Sequence, residues 1–125
     1  MSNDASSRST QWREILFNKL SKLRELPPST GSWSPHQPAR RAFDSAYMLL
    51  KAIQFENLPI AMLSASPDGV ICMEWRMPNQ TVSLYMFSDG TVEGYAVLPG
   101  RAPYEVDIPQ NQLNMANELL SSFAR

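Results

Sequence analysis

Short runs of alternating apolar and polar residues, separated by Pro, Asp, Asn and Gly, fill the chain between Leu58 and Ile108. An alternation with a period of two residues is typical of a strand that buries one face. Two of the separators, residues 66–69 and 88–90, end in a Gly that can take a positive φ at a tight reversal. The stretch therefore predicts an antiparallel β-meander.

The loop at residues 67–69 sets the register of the first hairpin, because a shift of one residue exchanges the two faces of a sheet. A three-residue loop pairs Ala65 with Ile71 and Leu63 with Met73. The apolar face of this hairpin then carries Leu63, Ile71, Met73, Trp75 and Met77. The opposite face carries Ser64, Cys72, Glu74 and Arg76, as a face exposed to water should.

The loop at residues 88–90, treated in the same way, pairs Met86 with Val92. It gives a second apolar set of Val82, Leu84, Met86, Val92, Gly94 and Ala96. A two-residue Asp89-Gly90 turn would instead place Glu93 beside Met86, so we favour the longer loop. The outward face then gains Tyr85, Phe87, Tyr95 and Val97 beside Cys72, Glu74 and Arg76.

Apolar residues at intervals of three and four predict a first amphipathic helix over residues 10–26, which Pro27-Pro28 ends. Its apolar positions are Trp12, Ile15, Leu16, Leu20 and Leu23. The polar residues 1–9 are expected to form a disordered tail, and residues 27–33 have the composition of a linker. Two interpretations of the helix remain open: it lies on its own domain, or it is an arm that docks on another protein.

A second helix is predicted to begin at residues 34–37. Ser at the N-cap and Gln three residues later form a capping box, and the Pro between them suits the first helical position. The helix is predicted to continue to about Asn57. A fifth strand is predicted at Tyr104–Ile108, followed by an amphipathic helix over residues 110–123. Residues 34–125 should therefore form an α+β domain. Its antiparallel five-stranded β-meander should be packed on one face by two N-terminal helices and a C-terminal helix.

Length and composition suit one globular domain, with 125 residues, 43% apolar and 18% charged. No apolar run approaches the length of a membrane span, which is about 18 residues or more. The first ten residues are polar and give no sign of a secretory signal. The lone Cys72 excludes an internal disulfide and fits a reducing compartment, so we expect a cytoplasmic protein that does not bind a membrane.

Charge is unevenly distributed along the chain, although the net charge is only −1. Residues 1–58 sum to +3 and residues 59–125 to −4. The usual cause of such a difference is that solvated helix faces carry Lys and Arg while turns carry Asp. The alternative is a nucleic-acid-binding helical face, whose contacts would be Lys19, Lys22, Arg40 and Arg41.

Candidate catalytic groups are few. The single His36 lies between Pro35 and Pro38 at a helix start, and Cys72 lies in a strand among polar neighbours. Glu74, Glu93 and Glu105 could align across strands as paired carboxylates, but carboxylates are common on the solvated face of a sheet. The sequence has no Gly-rich phosphate loop and no Cys/His spacing of a metal site. We therefore expect no enzyme activity, no cofactor and no metal.

The layout resembles that of small bacterial proteins, usually of unknown function, with a Trp loop, a helix, a Pro and two Asp-Gly hairpins around a Glu-Trp strand. The matching residues are Trp33, Pro59, Asp68-Gly69, Glu74-Trp75 and Asp89-Gly90. The match spans residues 33–97 and leaves out the first and last helices. The resemblance implies the α+β fold and brings no activity with it.

Aromatic residues on a sheet face that should be solvated are the strongest functional signal. Such apolar patches usually bind a second copy or another protein. We expect a non-catalytic protein–protein interaction module, such as an accessory subunit or a small regulator or neutraliser of a larger protein. Its binding residues would be Tyr85, Phe87, Tyr95, Val97 and Arg76. The alternative is a nucleic-acid-binding accessory protein that uses the basic helices.

Overall fold

The computed structural model describes residues 4–25, 40–56, 58–66 and 68–123. Its helices are α1 (Asp4–Arg24), α2 (Arg40–Ala52) and α3 (Ala116–Leu120), and 3₁₀ turns at Gln110–Met115 and Ser121–Phe123 flank α3. Its strands are β1 (Met62–Ala65), β2 (Ile71–Met77), β3 (Gln80–Met86), β4 (Val92–Val97) and β5 (Tyr104–Ile108). The linker at residues 27–33 and the capping box at residues 34–37 lie outside the described residues. None of the described helices is long and apolar enough to cross a membrane.

The five strands form one antiparallel sheet in the order β1-β2-β3-β4-β5, which confirms the α+β class and the meander. The predicted register is also confirmed, since Ala65 pairs with Ile71 and Met86 pairs with Val92. Both loops close through a glycine with positive φ, 85° at Gly69 and 91° at Gly90. This backbone geometry costs glycine little, so the two loops fix which residues face the helices.

The inner face of the sheet carries the core. Its fully or almost fully buried side chains are Ile71, Met73, Trp75, Val82, Leu84, Met86, Val92, Ala96 and Ile108. The alternation predicts that Met77 belongs to this set, but its side chain is 41% exposed. Met77 is the last residue of β2, and its Sδ accepts a hydrogen bond from Gln80 Nε2 at 3.2 Å across the turn. The alternation of faces therefore continues to Met77, but the core ends at Trp75.

Helix α1 belongs to the core of its own domain. Trp12, Leu16 and Leu20 are at most 1% exposed, and the ring of Phe17 stacks on that of Tyr47 in α2 at 5.7 Å. This packing contradicts the interpretation of α1 as a detachable arm. The predicted disordered tail also needs correction, because the helix already begins at Asp4.

The C-terminal end of α2 is held by side chains from the other two helices. Arg13 of α1 donates from Nε to the Leu50 carbonyl at 3.2 Å and from Nη2 to the Ile53 carbonyl at 2.6 Å. Asn117 of α3 donates to the Ala52 carbonyl at 3.0 Å and accepts from the Gln54 amide at 2.8 Å. Because these side chains satisfy the backbone groups, α2 ends at Ala52 rather than near residue 57.

The predicted C-terminal helix is interrupted. Gln112 has non-helical angles, φ −135° and ψ 39°, and separates the first turn of the segment from the rest. The side-chain amide of Gln110 donates to the Gly90 carbonyl at 2.6 Å, and Ser45 of α2 donates to the same oxygen at 2.6 Å. The segment thus connects the β3–β4 turn to the helices. Its inward residues Leu113, Ala116, Leu119, Leu120 and Phe123 are buried as predicted.

Candidate functional site

The face of the sheet opposite the helices, called the outer face below, has mostly half-buried and exposed side chains at positions that alternate with the core, with Ser83 buried among them. Tyr85 and Phe87 follow each other along this face, with ring centroids 6.4 Å apart and planes inclined by 27°. Tyr95 lies on β4 opposite Ser83, which makes it a diagonal neighbour of Tyr85. All three aromatic side chains are half-buried. They are called the aromatic group below.

Carboxylates border the aromatic group on the β4–β5 side. Glu93 lies directly opposite Tyr85, and Glu105 lies directly opposite Tyr95. A shallow pocket of about 370 Å³ opens between them, and its walls are Tyr85, Phe87, Glu93, Tyr95 and Glu105. The lining of the pocket therefore combines three aromatic side chains with two acidic ones. Asp107 pairs with Glu93 across the strands and adds a third carboxylate beside it.

On the β2 side, the outer face carries an ion pair. Arg76 Nη2 lies 2.5 Å from Glu74 Oε2, and the Arg76 side chain is 68% exposed. Ser83 Oγ donates to the other oxygen of Glu74 at 3.3 Å. Val97 is half-buried and pairs with Thr81, which in turn pairs with Arg76. The predicted binding residues Arg76 and Val97 thus lie in one row, next to the row of Glu74, Ser83 and Tyr95.

Cys72 lies between Ser64 and Tyr85 on the outer face. Burial raises the pKa of its thiol, and the nearby Glu74 carboxylate raises that pKa further, while a hydrogen bond with Tyr85 opposes the shift. Burial is also the main cause that raises the pKa of Tyr85. Nucleophilic cysteines need a lowered pKa, so Cys72 is in an environment that suppresses thiolate formation.

The candidate nucleic-acid contacts lie on the helices. Lys19 and Lys22 are exposed on α1, and Arg40 and Arg41 are exposed in the first turn of α2. Acidic residues lie among them: Asp44 lines a pocket with Arg40 and another with Arg41, and Asp89 also lines the latter. The surface around Arg40 and Arg41 is therefore of mixed charge.

Two features of the site were missed by sequence reasoning. The pairing of Glu93 with Asp107 was not foreseen, although the spacing of Glu105 and Asp107 on one alternating strand is a signal for it. The pocket between Glu93 and Glu105 depends on the β4–β5 register. The connection between these two strands is longer than the other two loops, so its sequence does not determine that register. Over the described ranges, no three His, Cys, Asp or Glu side chains are placed to bind a metal ion.

Comparisons with known proteins found no matching family model, no match among curated proteins and no match among solved structures. Function is therefore inferred from the geometry and chemistry of the outer face.

Proposed function

We propose that this protein is a non-catalytic interaction module that binds another protein through its outer face. The observation that carries the proposal is the aromatic group, three adjacent rings on the face of the sheet away from the helices. Tyr and Phe are enriched at the centres of protein interfaces because they remove large areas from water at a small cost in side-chain entropy. An accessory subunit or a small regulator of a larger protein would bind in this way.

The chemistry of the outer face favours binding over catalysis. The Cys72 thiol has a raised pKa, which lowers the fraction of nucleophilic thiolate. Glu74 accepts a hydrogen bond and forms an ion pair, as expected of a carboxylate that positions neighbouring side chains. The free thiol fits the cytoplasm as the place of action.

The proposal is tested by changing Tyr85, Phe87 and Tyr95 together to Ser and comparing proteins recovered from a native lysate by quantitative mass spectrometry. We expect the triple variant to lose specific partners while it still unfolds in urea as a cooperatively folded protein. The matched control changes Lys19, Lys22 and Arg40 to Ser, three exposed residues on the helices. Partners retained by the aromatic variant and lost by the helix variant would contradict the proposal.

The same variants separate this function from the nucleic-acid alternative. Binding at the outer face should depend on the aromatic group, whereas nucleic-acid binding should fall steeply with salt because it releases counterions. A steep salt slope with purified RNA or DNA, unchanged in the aromatic variant, would replace the proposal by the alternative.

A further inference from the structure

Three carboxylates lie on the outer face, those of Glu93, Glu105 and Asp107. Within the described part of the chain, no Lys or Arg forms an ion pair with Glu93, Glu105 or Asp107, whereas Glu74 is paired with Arg76. Glu93 and Asp107 are direct cross-strand neighbours, and like charges in that position repel each other. A cation bound beside these carboxylates would reduce that repulsion.

The aromatic group places π-faces beside these carboxylates. A guanidinium group is suited to both, because it stacks on aromatic rings and forms bidentate bonds with carboxylates. The described residues include the same pairing of Arg with aromatic rings, with Arg13 over Trp12 at 4.9 Å and Arg101 over Tyr104 at 4.6 Å. The pocket between Glu93 and Glu105 offers this combination on an open surface.

We infer that the partner presents a basic, Arg-containing segment, with an Arg side chain on the aromatic group between Glu93 and Glu105. This inference rests on the proposed function and specifies the chemistry of the partner. The shallow pocket is lined by the groups that such a side chain needs, three aromatic rings and two carboxylates. Asp107 adds charge next to Glu93, where a second basic residue of the segment would lie.

The same charges argue against two other occupants. In a two-fold symmetric dimer, each interface patch meets its own copy. A dimer whose two-fold axis passes through the pocket between Glu93 and Glu105 would bring the carboxylates of one protomer against those of the other. A phosphate backbone would meet the same negative charges. A different protein with a basic segment is therefore the occupant that electrostatic complementarity favours.

The inference is tested by titrating the full-length, ¹⁵N-labelled protein with short synthetic peptides and following backbone amide shifts. The probes are a peptide of alternating Arg and Ser, the corresponding Lys peptide and the corresponding Glu peptide. We expect the Arg peptide to bind more tightly than the Lys peptide, and to shift amides at and around Tyr85, Glu93, Tyr95 and Glu105. The Glu peptide should leave them unchanged.

Charge-neutralising variants supply the matched comparison. Glu93→Gln together with Glu105→Gln should weaken binding of the Arg peptide by about tenfold or more, a loss of about 1.4 kcal/mol or more. Glu14→Gln together with Glu118→Gln, which changes exposed carboxylates on the helices, should leave the affinity unchanged. The first pair of changes removes like-charge repulsion, so a loss of folding is not expected; a thermal melt of each variant verifies this.

Several results would overturn the inference. The Arg peptide could shift amides outside the outer face, or the Glu peptide could bind as tightly as the Arg peptide. The Glu14→Gln, Glu118→Gln control could weaken binding of the Arg peptide as much as Glu93→Gln with Glu105→Gln does. Light scattering could also show a dimer that dissociates when Tyr85, Phe87 and Tyr95 are changed to Ser. If Ca²⁺ produces the same shifts while the peptides produce none, the carboxylates serve a metal and the inference is also wrong. If peptides fail to bind but the aromatic variant still loses its cellular partners, the inference fails and the proposed function stands.

Discussion

The indole ring of Trp12 packs edge-on against that of Trp75, with centroids 6.0 Å apart and planes at 73°. This contact joins α1 to the second strand of the sheet, and both side chains are at most 1% exposed. Neither indole N–H has a hydrogen-bond partner in the described part of the structure. The contact between the two indoles therefore stabilises the fold through buried area and ring geometry rather than through a hydrogen bond of either N–H.

Trp12→Ala and Trp75→Ala should each lower the free energy of unfolding by about 3 to 5 kcal/mol, because each leaves a large cavity. Trp→Phe at either position should cost less, since most of the ring is kept and the lost N–H made no hydrogen bond. Urea unfolding followed by circular dichroism gives these values. A Trp12→Ala midpoint near that of the wild type would mean that α1 is not part of the core.

Arg13→Ala should lower the free energy of unfolding by about 1 to 3 kcal/mol, because it leaves carbonyls at the end of α2 without their donor. Arg13→Lys should recover little of the lost stability, since a single ammonium group cannot donate to the Leu50 and Ile53 carbonyls together as the branched guanidinium group does. Lys19→Ala, an exposed change on the same helix, is the control and should stay within about 0.5 kcal/mol of the wild type. Equal effects of Arg13→Ala and Lys19→Ala would contradict the capping role.

Gly94→Ala should destabilise the protein by about 1 to 3 kcal/mol through crowding of the core. A Cβ atom there would overlap Leu119 Cδ1 and lie 3.3 Å from Val106 Cγ1. A double-mutant cycle with Leu119→Ala checks the cause, because the two changes should be less harmful together than their sum. Simple additivity of the two free-energy changes would exclude crowding against Leu119.

Cys72 should react slowly with iodoacetamide. In a plot of reaction rate against pH, the rise should come at higher pH for the folded protein than for the urea-unfolded protein. The reason is the raised pKa of the thiol in the folded state, caused by burial and by Glu74. Glu74→Gln should move the profile toward lower pH. Because the folded-state pKa is raised, this group stabilises the fold below its ordinary pKa, and that contribution is lost as the pH rises through the raised value. Equal profiles for folded and unfolded protein would contradict the shift.

Local sequence determines much of the sheet. The two glycine loops specify the register, and the register in turn places Tyr85, Phe87 and Tyr95 on one face. Helical periodicity likewise identifies Trp12, Leu16 and Leu20 as buried residues of α1, although the predicted apolar set also holds Ile15 and Leu23, which are half-buried. These features depend on neighbours in sequence, which is why periodicity and turn chemistry find them.

Features that depend on distant contacts were not predictable in this way. Arg13 looks like one of several cations on the polar side of α1, yet its hydrogen bonds reach residues 37 to 42 positions away. The decision between a packed helix and an arm likewise required knowing that Trp12 meets Trp75. The pairing of Glu93 with Asp107 needed the β4–β5 register, and the connection between these strands, residues 98–103, is longer than the two glycine loops and contains its own turn at Gly100.

The hydrogen bonds from Asn117 to the C-terminal end of α2 join parts of the chain that are synthesised far apart in time. The donor to the Ala52 carbonyl lies 65 positions later in the chain, whereas each strand of the meander pairs with its immediate successor. Hairpins close short loops and form early, while contacts of long sequence separation carry a larger entropic cost. A nascent chain can thus form its strand pairs as they emerge from the ribosome, but the end of α2 is completed only after α3 has been translated.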